Sequence, residues 1–312
     1  MSLALNEKAQ NLVDKIVRDA DALRVRLEQA PCGARLIDCG ATAVGGIEAG
    51  LRLAEVCLAG LGRVELQSSP AGQLVNVTTD QPIPACLAAQ YAGWQVTGEK
   101  YFAMGSGPMR AAAGKEVLFN DIGCRETATH AVGVLETHKL PPDAVCRSLA
   151  EACQVSPRNL TLLVARTASL AGTLQVVARS VETALHKLHE LKFDLQTIVS
   201  GFGSAPLPPI AKDDLTAIGW TNDSVLYGGH VTLWVRTTDE IIDEIGPRVP
   251  SCASASFGEP FGVLFERAGK DFYKLDPLLF SPAVVTFINM TNGRRRTFGE
   301  LRPDVLACSF GE

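Results

Sequence analysis

Aromatic residues are scarce, at 6% of the chain, although hydrophobic residues reach 46%. A core with so few rings has to be built from Ala, Val and Leu. With charged residues at 20%, this balance excludes a disordered chain. No apolar run approaches the roughly 18 residues that span a bilayer, so a transmembrane helix is not expected. No basic tract is longer than residues 294–296, and the net charge is −5, which sets aside a general role on nucleic acid or a membrane surface.

The nine cysteines include no C-x-x-C pair and no histidine at zinc-ligand spacing. An odd, scattered set of thiols implies reduced, mostly buried cysteines in a cytoplasmic protein. Cys124 alone sits in a polar segment, and nothing near it in sequence supplies a base. The N-terminal stretch is amphipathic and lacks the apolar core and cleavage site of a signal peptide. H-E-x-x-H, G-x-S-x-G and G-x-x-x-x-G-K-[ST] are all missing. The loop at residues 40–46 (GATAVGG) lacks the G-x-G-x-x-G order, and no acidic residue follows at the ribose-binding distance. An enzyme built on this chain is therefore expected to use neither a nucleotide cofactor nor a metal.

The length of 312 residues suits about two domains. Strand-like and helix-like stretches alternate: RLIDC (35–39), a helix over 47–61, LVNVTT (74–79), a helix over 83–92, THAVGVLE (129–136), a helix over 143–153, and NLTLLVA (159–165). This order predicts an α/β (mixed α+β) fold. The densest Gly/Pro/Ser tract, SGFGSAPLPPI at 200–210, marks a domain boundary, dividing the chain approximately into 1–200 and 201–312 with discontinuous domains allowed.

Several stretches carry candidate chemistry. Gly105, Ser106 and Gly107, followed by Pro108 and Arg110, form a glycine loop entering a helix. Such a loop can present N–H groups to an anion, and it can equally be a plain turn. Asp121 and Arg125 lie in NDIGCRE (120–126) and suit either a ligand or an internal ion pair. Tyr227 stands beside a glycine turn. Residues 175–191 (QVVARSVETALHKLHEL) place Val177, Val181, Ala184, Leu188 and Leu191 on one helical stripe. Arg179, Glu182, His186 and His189 fall on the opposite side. On spacing alone, Arg179 and Glu182 read as a surface pair worth about 0.2–0.5 kcal/mol.

Seven segments together resemble the methenyltetrahydromethanopterin cyclohydrolase family: IDCGATAVGGIEAG (37–50), VTTDQPIPACLAAQYAGWQV (77–96), YFAMGSGPMRA (101–111), NDIGCRE (120–126), ARSVETALHKL (178–188), TNDSVLYGG (221–229) and DFYKLDPLLFSPA (271–283). Each is weak alone, and their order makes them specific. The resemblance implies reversible hydrolysis of N5,N10-methenyl-tetrahydromethanopterin to the N5-formyl compound, without a cofactor. It also implies a homotrimer whose subunits have two α/β domains with the pterin in the cleft between them. The family's functional Arg and Glu, three residues apart, fall on Arg179 and Glu182. Glu182 is then the base that activates water, and Arg179 keeps it charged and placed. Gly105, Ser106, Gly107, Arg110, Asp121 and Tyr227 become candidate substrate contacts, and Arg110 or residues 294–296 would meet an acidic coenzyme tail. A pterin-binding protein without turnover, a hydrolase of another cyclic amidine and a structural α/β oligomer remain as alternatives.

Overall fold

Strands β1 (Arg26–Gln29), β2 (Arg35–Gly40), β3 (Gly62–Ser69), β4 (Gly72–Thr79), β5 (Trp94–Gly98), β6 (Tyr101–Ser106), β7 (Ala131–Glu136), β8 (Leu160–Ala165), β9 (Ile198–Pro206), β10 (His230–Val235), β11 (Val284–Asn289) and β12 (Arg295–Gly299) form two six-stranded sheets. The structure is a computed structural model that describes residues 3–70, 72–270 and 274–311. The first two residues of the expected N-terminal helix and the first three of the 271–283 segment lie outside the described residues. The chain divides into two compact units, Met1–Arg63 with Pro84–Gln175 and Val64–Ile83 with Val176–Glu312.

The first unit has strand order β1-β2-β8-β7-β6-β5. Its centre is parallel, β2 with β8 and β8 with β7, and antiparallel strands flank it on both sides. Helices cover both faces. In β8, Leu160, Leu162 and Val164 join the layer holding Val145, Cys146 and Leu149 of the helix Asp143–Ala152. Leu163 and Ala165 turn to the helices Leu5–Arg18 and Ile47–Cys57. This two-sided burial is why LTLLVA reads as one apolar run.

The second unit has strand order β12-β11-β10-β9-β4-β3, with β10 and β11 parallel. The helix Ser180–Glu190 packs on β9 and β10. Three further helices, Asp214–Gly228, Phe261–Arg267 and Pro303–Phe310, share a core of Leu226, Tyr227, Phe261, Leu264, Phe265 and Val305.

The α/β reading holds in both units, and three details differ from sequence expectation. The tract at 200–210 is not a linker: most of it is β9, an interior strand paired with β4 on one side and β10 on the other. Its glycines serve packing. A Cβ on Gly201 would meet Val181 Cγ1 at 2.8 Å, and one on Gly203 would strike Ser180 Oγ and meet Val181 Cγ2 at 2.9 Å. The unit boundary instead falls between Gln175 and Val176, and residues 64–83 belong with the second sheet. Second, residues 175–191 are not one helix. The helix Leu170–Val177 ends, Arg179 takes φ −89° and ψ 10°, and a new helix starts at Ser180. Third, Ile83–Gln90 winds as a π-helix, whose i→i+5 pattern continues in the 2.8 Å bond from Tyr91 N to Cys86 O.

Candidate active site

Arg179 occupies the N-cap position of the helix Ser180–Glu190. Its carbonyl accepts the Thr183 N–H at 2.8 Å and the Thr183 hydroxyl at 2.7 Å, which closes the first turn. Glu182 lies in that turn, where the positive end of the helix dipole favours a carboxylate. Glu182 is only 6% exposed, in contrast to the solvated surface residue that spacing alone suggests. A carboxylate held this deep is costly unless compensated, and such groups concentrate at functional sites. Val181, Ala184, Leu185 and Leu188 are fully buried beneath it. The expected stripe is therefore real, although Val177 contributes to it from the preceding helix.

The far end of the same helix is pinned by a residue that sequence reading passed over. Lys187 is buried, its Nζ donates to the Leu278 carbonyl, and burial pushes the amine down to about 8 against the attraction of Asp276. Asp276 in turn accepts the Ser254 hydroxyl and the Leu278 N–H, which fixes the start of the DPLL turn. His186 and His189 are half-buried, and His189 Nδ1 lies 3.7 Å from Glu190 Oε1.

The glycine loop of the first unit is differently built. Gly105 and Ser106 end β6, Gly107 takes φ +88°, and the helix that follows, Met109–Ala113, is a single turn. The Gly107 N–H is spent on the Ala89 carbonyl at 2.8 Å, and those of Arg110 and Ala111 on Gly107 and Pro108. Gly105 and Gly133 make room for Met109, whose side chain occupies the space of a Cβ on Gly133. Arg110 is wholly buried, not poised for an anion. It forms a two-pronged pair with Glu116 at 2.8 and 2.5 Å and donates to the carbonyls of Leu87, Ala88 and Ala89 at the end of the π-helix. The rings of Tyr91 and Phe119 lie 5.0 and 5.5 Å from its guanidinium carbon. All three guanidinium nitrogens are thus engaged by a carboxylate and carbonyls of the protein itself.

Asp121 is exposed on the short helix Leu118–Ile122. Arg125 directs its guanidinium to Gly114 O, Phe119 O and Asn120 Oδ1. Cys124 is buried, which raises its thiol and removes it as a nucleophile. Tyr227 also departs from expectation. Its ring is fully buried against Phe257, and its hydroxyl donates to Glu259 O at 2.6 Å and accepts from Gly258 N at 3.1 Å, so it organises a loop. Arg294 and Arg296 bind Asp239 and Asp243.

Two buried carboxylates escaped the sequence reading. Asp38 gathers the GATAVGG loop around itself, accepting from Gly40 N, Ala41 N, Thr42 N, Thr42 Oγ1 and Ala43 N at 2.6–3.0 Å. Burial works to raise it, and the bonds from Thr42, Ala43 and Ala41 outweigh that, so it stays below the ordinary 3.8. The loop N–H groups thus hold an internal anion. Asp followed by small residues at a strand end is the signal that would have found it. Asp223, on the helix Asp214–Gly228, accepts Phe261 N at 2.8 Å and Ser309 Oγ at 2.5 Å, and burial pushes its carboxyl up to about 7.

Among the described residues no helix is long and apolar enough to cross a membrane. A family model described as Cyclohydrolase (MCH) matches residues 4–310. The chain is 48% identical to the methenyltetrahydromethanopterin cyclohydrolase of Xanthobacter autotrophicus over 304 residues, covering 96% of this chain and 90% of that protein. It is 45% identical over 312 residues to the protein of that name from Methylobacillus flagellatus, covering 99% and 95%. With the one from Methanosarcina barkeri the identity is 39% over 316 residues, covering 99% and 98%.

Proposed function

The chain belongs to the cyclohydrolase (MCH) family, and from that premise we propose that it hydrolyses N5,N10-methenyl-tetrahydromethanopterin reversibly to the N5-formyl compound. The observation that carries the residue assignment is the buried Glu182 in the first turn of a helix capped by Arg179.

The chemistry suits such a pair. The methenyl carbon belongs to a cyclic amidinium, so it is electrophilic before any catalyst acts. A water oxygen bonds to that carbon while Glu182 takes one of its protons, leaving a neutral tetrahedral adduct. The C–N10 bond then breaks, N10 acquires a proton relayed from the carboxyl, and the remaining hydroxyl proton is lost as the formyl C=O forms on N5. The sum is one cation and one water giving one neutral product and one proton. Placement of the water and general-base assistance contribute about 10²–10⁴-fold. Arg179 orients the carboxylate and favours its charged form. The working assembly in this reading is a homotrimer in the cytoplasm. Arg179 and Glu182 act on the reacting atoms, Gly105, Ser106, Gly107 and Asp121 are retained as substrate contacts, and Arg110 and Tyr227 act through packing.

Purified protein mixed with the methenyl substrate should speed the loss of the methenyl chromophore. No acceleration over buffer would sink the proposal. Binding of the substrate without turnover would favour a pterin-binding role instead. Light scattering of the purified chain checks the trimer.

A further inference from the structure

We propose that Gly201 and Gly203 of β9, with Val181 between them, are positioning residues that set the depth and orientation of Glu182. This rests on the assignment of Glu182 as the base. Val181 immediately precedes Glu182 in the first turn, and its two methyl groups straddle the two glycines. Cγ1 lies where a Gly201 Cβ would meet it at 2.8 Å, and Cγ2 where a Gly203 Cβ would meet it at 2.9 Å. Ser180 closes the same seat, its Cβ 3.2 Å from the Gly203 position. The helix start therefore rests directly on strand backbone.

The sheet cannot yield. Gly201 pairs with Thr79 on β4 and Leu233 on β10, and Gly203 with Val77 and Val231, so β9 is held from both sides. Val181 cannot swing aside, because a β-branched side chain in a helix is confined to one strongly preferred rotamer. At Gly201 the other neighbours, Leu233 Cδ2 at 3.6 Å and Thr79 Cγ2 at 3.9 Å, are at ordinary contact distance, so the whole clash falls on Val181. The far end of the helix is pinned by Lys187 on the Leu278 carbonyl. Added bulk under Val181 therefore tilts the first turn, the one that carries Glu182, and leaves the last turn in place. A base displaced by a few tenths of an ångström to an ångström loses alignment with its water before the substrate loses its binding surface.

The test is a double-mutant cycle read by methenyl hydrolysis. Gly201→Ala should lower kcat about tenfold or more with KM little changed, and should shift the pH profile of kcat as the carboxylate's surroundings change. Val181→Ala empties the seat and should also lower kcat. The combination Gly201→Ala/Val181→Ala removes two methyls from the helix and adds one to the sheet in the place of the lost Cγ1, and should return kcat and the pH profile closer to wild type than either single change. If both single variants lose thermal stability but keep wild-type kcat and pH profile per folded molecule, the seat is merely structural and the proposal is overturned. Should Gly201→Ala fail to fold, the comparison of Val181→Ala with the double variant decides, and a double variant no faster than Val181→Ala overturns it. Glu182→Gln separates the two readings. If that variant turns over normally, the base assignment fails. If it loses turnover while the seat variants keep theirs, only the seat proposal fails.

Discussion

The glycine loop at 105–107 and the glycine-bearing strand β9 are both stretches whose glycines let the start of a helix pack closely. The protein uses them in opposite ways. Gly105 and Gly133 admit Met109 to the core, and Arg110 is consumed by Glu116 and three carbonyls. Gly201 and Gly203 admit a helix, and that helix brings a carboxylate, Glu182, to a buried position in its first turn. In both places the glycines mark close packing, of Met109 in one and of Val181 in the other. The second place differs in carrying a buried carboxylate in the first turn of the helix, and that carboxylate is the group assigned to the chemistry.

Glu182→Gln is expected to have the largest effect. The amide keeps the shape and removes the base, so kcat should fall about 10²–10⁴-fold with binding retained, followed by chromophore loss and by substrate titration. A variant with normal turnover would put the site elsewhere. At the other region, Arg110→Ala should leave Glu116 and the π-helix carbonyls without their donor, costing about 3–5 kcal/mol in urea unfolding while kcat per folded molecule holds. A kcat loss without a stability loss would mean that Arg110 serves the substrate after all.

How much of this contrast could be read from the chain depends on the type of signal. β4, β7 and β8 were legible because their apolar residues alternate or run together. β9 was hidden because Gly, Ser and Pro in one tract read as breakers, and only the partner helix explains the glycines. The break at Ala178–Arg179 has no proline or glycine to announce it, so tertiary packing imposes it. Arg110 was misjudged because arginine is rarely buried without a partner, and its partner, Glu116, lies beyond the loop that drew attention. Arg179 and Glu182 were nominated by resemblance, since a three-residue spacing of opposite charges is common on any helix. Their depth is the part that only the structure supplies.

A second buried carboxylate in the same unit offers a control for Glu182. Asp223 is pushed up to about 7 by burial, against 3.8 in an unfolded chain. Between those values the folded state holds a proton that the unfolded state has released. Stability from this group is therefore full below about pH 4, declines as pH rises toward 7, and is level above it. Relative to wild type, Asp223→Asn should remove that decline, a change on the order of a few kcal/mol between pH 4 and 7 in denaturant titrations. If kcat in Asp223→Asn also loses its pH dependence, the titrating group in catalysis is not Glu182.

Tyr227→Phe carries the smallest expected effect and bears on the least visible distinction, between a loop organiser and a substrate contact. The hydroxyl bonds Glu259 O and Gly258 N, both in the loop at 257–259, and the ring is wholly buried. Removing the oxygen strands one donor and one acceptor and should cost about 1–2 kcal/mol in stability. Burial also holds the phenol above its ordinary value, so it stays neutral through the working range and cannot supply charge to a reaction. KM for the methenyl substrate should therefore stay within about twofold of wild type, a change below ~0.5 kcal/mol. A tenfold rise in KM with unchanged stability would return Tyr227 to the substrate's surroundings.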